Sequence, residues 1–277
     1  MLLKKLLYAF VNYAFFAACC AIALAIQTYI FCKLPINFFL LSFVFFATIC
    51  SYNVHFYLAK YSSTGLCIPF ATLCVNAHVY CIFFAVVGMC ATFLPSNLPI
   101  IPVLFSLVCT SLYSLPFLQI KALEKIKKAG FLKTILLAFT WAYVTVYLPV
   151  AASNINQPII IYWLVQRLLF MLVLCIIFDT RDVESDMLKG FHTLATDLSS
   201  KAIQILVILL FVASVVQHFY GIYFYASAKQ VLGLQAVVAC TVIVYVVSLK
   251  KRGYLFYYCI VDGLMIVSAI VSTLVSI

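Results

Sequence analysis

The sequence predicts an all-α polytopic membrane protein, a bundle of about nine transmembrane helices forming one domain over residues 1–277, with a cytoplasmic N-terminus. Three observations carry this expectation. Hydrophobic residues make up 67% of the chain and charged residues 9%, whereas soluble proteins carry about 25% charged residues. Apolar runs recur at roughly the 20 residues that a helix needs to cross a bilayer. The basic residues also segregate to alternate loops, as the positive-inside rule demands.

The runs fall at 7–31, 36–58, 68–94, 97–118, 132–152, 157–178, 200–220, 228–248 and 254–275. Backbone polar groups in lipid must be satisfied internally, so each run is expected to be helical rather than open sheet. Lys4 and Lys5 before the first run resemble the start of a secretory signal. That run is too long, and no small-residue cleavage site follows it, so it is expected as a mature helix. The third run is long and is expected to tilt or to end in an interfacial turn. With the N-terminus inside, 14 of the 17 basic residues lie on the cytoplasmic side; Lys33 and Lys229 lie outside and Arg167 lies within a span. The net charge of +10 is thereby an orientation signature. No basic stripe interleaved with exposed aromatics sits on a soluble element, which argues against nucleic acid. The 12 cysteines form no metal-type CxxC pair and read as small packing residues in a bundle.

Acid is scarce. Four of the seven Asp and Glu residues fall within 178–186, FDTRDVESD. Asp179, Asp182 and Asp186 are spaced by three and four, which places them on one face if the sixth helix continues through them. Glu184 then points elsewhere. Carboxylates stacked in this way repel unless a cation sits among them. Their hard oxygens suit Mg2+, which typically takes one or two protein carboxylates and bridges to substrate phosphates. Arg181 and Lys189 fit a phosphate partner, and Gly190 allows a sharp turn after the helix. The bland alternative is an acidic, solvated loop.

Two charges lie within spans. Arg167 and Asp262 sit at depths that differ by roughly 5 Å, from the helical rise of 1.5 Å per residue. Intramembrane charges are usually functional or paired, so a structural Arg167–Asp262 pair is expected. His78 and His218 read as packing residues, His192 as a residue able to meet phosphate, and Asp197 or Ser199 as the cap of the seventh helix. Some of the 45 aromatic residues (25 Phe, 18 Tyr, 2 Trp) are expected in interface belts.

Residues 178–195, FDTRDVESDMLKGFHTLA, resemble the second aspartate-rich motif of the UbiA superfamily of intramembrane prenyltransferases. The matching positions are Asp179, Arg181, Asp182, Asp186, Gly190, Thr193 and Leu194. A second resemblance is LYSLP at 112–116, containing Tyr113, which leads into a basic segment with Lys121 and Lys125. The resemblance implies nine helices and a prenyl diphosphate held through Mg2+ at the cytoplasmic side of a cell's inner (plasma) membrane. It implies Asp179, Asp182 and Asp186 as metal ligands, and Arg181, Lys189, Lys121 and Tyr113 at the diphosphate. The acceptor is an aromatic or other lipid-soluble molecule. The first aspartate-rich motif is degenerate here. Asn53 matches its Asn, but Val54, Tyr57 and Tyr61 stand at its aspartate positions, and no acid precedes Glu124. Asn53 and His55 are the polar residues left in that arm. Three readings follow: a prenyltransferase with a reduced metal site, a non-catalytic relative that binds an isoprenoid or supports another membrane enzyme, and a transporter. Transporters often show paired halves and interrupted helices, and no convincing internal repeat is visible in the sequence.

Overall fold

The structure, a computed structural model, describes residues 2–61, 76–114, 130–188 and 192–276, and all its regular elements there are helical. In chain order these are α1 (Leu2–Asn12), α2 (Phe15–Phe31), α3 (Phe38–Tyr61), α4 (Ala77–Phe93), α5 (Ile100–Ser114) and α6 (Gly130–Ala142). They continue with α7 (Gln157–Leu188), α8 (Leu194–Asp197), α9 (Ser200–Phe224), α10 (Ala228–Ser248) and α11 (Gly263–Ser276). Seven helical stretches are long and apolar enough to cross a membrane, and eight if the bent pair α1–α2 counts as one span. The expected fourth span, 97–118, falls on the shorter apolar helix α5. Every apolar run expected from the sequence thus contains helix.

The first run is not a single rod. α1 and α2 meet at a 64° bend. The bend passes through Ala14, whose φ of 63° lies in the left-handed region that costs most residues other than glycine. Two segments are wound wider than an α-helix: Tyr143–Tyr147, at the end of α6, and Phe256–Val261, leading into α11. Single π-turns of this kind re-aim the side chains they carry.

The helices close into a ring. α2 packs on α3, α3 on α4 and on α5, α5 on α6, α6 on α7, α7 on α9, α9 on α10, and α10 on α11, which returns to α2. α7 is the most enclosed span, with 61% of its apolar window buried. The core between the helices is apolar and includes Leu24, Val44, Ile176, Ile177, Val207 and Met265. Lipid is as apolar as this core, so small residues and hydrogen bonds must supply the specificity of packing. Gln27 of α2 donates to Ser268 O (3.1 Å) and to the hydroxyls of Ser268 (3.2 Å) and Ser272 (2.5 Å), which closes the ring onto α11. Gly233 lets α10 approach α11 closely; a methyl group there would lie 2.7 Å from the Cα of Ser272.

Candidate functional site

The acidic row lies on helix, as its spacing requires. α7 does not stop at 178 but runs 32 residues to Leu188 and carries Asp179, Asp182 and Asp186 with it. The first turn of α6 reaches across to this row with two consecutive residues. Thr134 Oγ1 donates to Asp179 Oδ2 at 2.5 Å, and Lys133 Nζ lies 3.6 Å from Asp186 Oδ2. Asp186 is only 7% exposed, so this partner offsets charge that solvent does not reach well. Asp182 takes both arms of the Arg181 guanidinium, from Nε at 2.7 Å and Nη2 at 2.5 Å, the planar fork geometry in which Arg binds carboxylate best. Glu184 points away to an exposed ion pair with Lys251 at 2.6 Å.

Arg181 is fixed by aromatics as well as by charge. Its guanidinium lies 4.9 Å from the Phe178 ring centroid, 5.1 Å from that of Tyr257 and 4.8 Å from that of Tyr258. Its Nη2 also donates to the Tyr258 hydroxyl at 3.2 Å. Tyr257 and Tyr258 belong to the widened segment before α11, so that local unwinding presents them to α7. A further aromatic contact joins α3 and α5. The rings of His55 and Tyr113 stack with centroids 4.8 Å apart and planes 14° apart.

Asn53 has a different part from the one its motif position implies. It is 0% exposed. Its Nδ2 donates to Tyr13 O at 3.0 Å and to Ile49 O at 2.8 Å, while its Oδ1 meets His78 Nδ1 at 2.7 Å. Both donors and the carbonyl are thereby committed to holding the α1–α2 bend, α3 and the start of α4 together. His78 is likewise a packing residue, with its ring 5.2 Å from that of Tyr13.

The expected Arg167–Asp262 ion pair does not form. Arg167, 3% exposed, turns toward α2 and donates from Nη2 to Leu24 O at 3.3 Å. Asp262 ends the widened segment before α11 and lies in the field of Arg181 instead. Depth along the membrane matched the two residues, but the face of each helix did not. His192 bonds Asp197 at 2.7 Å on the exposed surface, and Ser199 caps α9 by accepting from Ala202 N at 3.3 Å. Thr193, a motif position, caps α8 through reciprocal bonds with Thr196, so its role in the structure is to shape the chain after α7. His218 is buried and lines a small cavity of about 20 Å³ with Gln166, Ser214 and Thr241, about a dozen residues up α7 from the acidic row. Lys121, Lys189 and Gly190 lie outside the described residues, as does the side chain of Tyr61.

The donor set at the row is hard carboxylate oxygen throughout. Asp179 and Asp186 lie seven residues, roughly 10 Å of helix, apart, too far to share one ion at Mg2+ distances, so a single Mg2+ would take Asp182 with one of them, water and phosphate completing its shell. Among the described residues no three His, Cys, Asp or Glu side chains converge on one point.

The architecture is that of a polytopic helical bundle with a charged, aromatic-walled mouth at one end of a ring of spans. Its fold is the UbiA fold. The chain superposes on a UbiA homolog from Aeropyrum pernix K1 with a TM-score of 0.60 at 11% identity, covering 94% of this chain and 96% of that one. It superposes on a digeranylgeranylglyceryl phosphate synthase with a TM-score of 0.58 at 14% identity, covering 98% of each chain. The sequence matches no protein-family model and no curated protein.

Proposed function

We propose that the chain is a UbiA-like membrane prenyltransferase, moving a prenyl group from a prenyl diphosphate to an aromatic or other lipid-soluble acceptor. The observation that carries this is the single-faced row of Asp179, Asp182 and Asp186 at the mouth of a UbiA-fold bundle, with Lys133 and Arg181 set among the acids. In this reading the mouth faces the cytoplasm at the plasma membrane and the bundle has nine spans. The strong bias of Lys and Arg toward one set of loops supports that orientation.

The residues divide the work by chemistry. Lys133 and Arg181 offer N–H donors to diphosphate oxygens, and Lys121 and Lys189 extend that basic lining. Tyr113, stacked on His55, offers a hydroxyl to the diphosphate. The allylic C–O bond breaks as negative charge gathers on the departing diphosphate, so preorganised donors aimed at those oxygens lower the barrier. Phe178, Tyr257 and Tyr258 hold the Arg181 guanidinium in place for that charge. The spans exclude water that would otherwise quench the allylic carbocation. Asp182 with Asp179 or Asp186 would hold a Mg2+, which would supply further neutralisation of the leaving group.

The test is binding of a non-ionising allylic thiolodiphosphate to the protein in nanodiscs, with and without Mg2+, and again with Asp182→Asn. The wild type is expected to bind more tightly with Mg2+, and the variant to lose about tenfold or more, the cost of removing a charged partner. Binding indifferent to both metal and mutation removes the diphosphate site. The degenerate first motif favours a second reading, a non-catalytic isoprenoid-binding protein. Diphosphate release from an allylic substrate with membrane lipid extract as acceptor separates the two, since only the enzyme releases it.

A further inference from the structure

We propose that the cavity between α7, α9 and α10 is a hydration site for one ordered water molecule, which bridges Gln166, Ser214, His218 and Thr241 and ties the three helices together inside the membrane. The site is independent of the function proposed above.

The first argument is place. At about 100° per residue, Gln166, Phe170 and Val173 face almost opposite to Asp179, Asp182 and Asp186. They also lie roughly 9–20 Å along the helix from Asp179, at 1.5 Å per residue. The cavity therefore lies on the far side of α7 from the acidic row and shares no residue with it.

The second argument is size against demand. The cavity volume is about 20 Å³. A water molecule needs roughly 10–15 Å³ on this measure, and a lipid headgroup or an aromatic ring needs several times more. The walls are apolar at Phe170, Val173, Phe211 and Leu234, yet four polar side chains share them. His218 is 2% exposed and Gln166 6%, so bulk solvent serves neither. His218 Nδ1 meets no hydrogen-bond partner in the protein. A buried polar group without a partner is costly, and a roomy polar cavity is where a buried water offsets that cost.

The third argument is the match of donors to acceptors. Ser214 Oγ donates to Leu210 O and Thr241 Oγ1 to Val237 O, each at 2.8 Å along its own helix. Both hydroxyls have thus used their proton and keep lone pairs to accept with. Gln166 and a neutral His218 each carry N–H groups to donate. One water can donate to the two hydroxyl oxygens and accept from Gln166 and His218, within the two to four bonds that a buried water makes. Its partners then come from α7, α9 and α10 together. About one turn away, Gln217 of α9 donates to Tyr162 O of α7 at 3.1 Å, so the water adds a second tie to that seam and brings α10 into it. In lipid, where apolar contact alone distinguishes helix rotations poorly, such bonds fix how α7 is turned.

The experiment is a structure of the full-length protein in nanodiscs at a resolution that shows ordered water, with thermal midpoints of wild type, Gln166→Met and Thr241→Val. Density for one water is expected within hydrogen-bond distance of Gln166 and Thr241. Each variant is expected to lower the midpoint by about 2 °C or more, because it leaves the water a bond short. The sign of that shift is diagnostic. In a dry cavity the orphaned polar groups are only a cost, and an apolar side chain of similar shape would leave the midpoint unchanged or raise it. The proposal is overturned by such a result in either variant, by the absence of density in a cavity whose walls are resolved, or by density that continues into a lipid chain. Should neither variant fold, the wild-type density decides.

Discussion

Asn53 has three hydrogen bonds to protein and no remaining donor with which to hold a ligand. Asn53→Ala is expected to destabilise the protein by about 1–3 kcal/mol, because it removes a fully buried side chain's hydrogen bonds to the half-buried His78 and to two carbonyls, and to lower the thermal midpoint in detergent. Thiolodiphosphate affinity of the folded fraction is expected to stay within about threefold of wild type, less than the effect of one charged hydrogen bond. A large loss of affinity with an unchanged midpoint would make Asn53 a ligand after all. Glu184→Gln is the complementary control. Its ion pair with Lys251 is solvated, and such pairs contribute little, so midpoint and binding should both hold. At this scale the sequence was partly readable. The three-and-four spacing of Asp179, Asp182 and Asp186 is a local property of one helix, and it already told Glu184 apart from the row. Lys133 and Thr134 were not legible as its partners, because the contact joins two helices and no spacing within either encodes it. The nearest signal was that Lys133 opens an apolar run immediately after a basic segment. Arg167 and Asp262 show the same limit from the other side: hydropathy gives depth, and only packing gives azimuth.

α7 is longer than its apolar run. The run ends near 178, yet ten further residues stay helical, held by α6 and by the widened segment before α11. Tertiary contacts thus override the hydropathy boundary. The π-turns were invisible in the sequence, since one extra residue per turn leaves apolar composition unchanged. Helix packing elsewhere depends on atoms that are not there. Gly233→Ala is expected to push α10 from α11, because the new methyl meets backbone at Ser272 rather than a movable side chain. A loss of about 1–3 kcal/mol is expected from such overpacking, seen as a lower midpoint in detergent. The acidic row lies on other helices, so thiolodiphosphate binding of the folded fraction should be retained. A Gly233→Ala protein as stable as wild type would mean that the two helices are not in close contact.

For the whole molecule, nine spans put the two chain ends on opposite faces of the membrane, and eight put them on the same face. Epitope tags at each end, probed in sealed and in permeabilised vesicles, separate these cases. Opposite faces are expected, with the N-terminal tag on the cytoplasmic side. The class of fold was legible throughout, because lipid leaves the backbone so few choices; the closure of the ring was not, since Gln27 and Ser272 are 245 residues apart. The 64° bend between α1 and α2 has a consequence for how the protein is made. α1 and α2 leave the ribosome before the residues that hold their angle, Asn53 and His78, which are synthesised later, on α3 and α4. Until those arrive, nothing offsets the unfavourable backbone at Ala14, and a straight helix is the cheaper conformation. This helix pair must therefore wait for its neighbours, and insertion machinery or chaperones would meet it in a shape that the finished protein no longer has.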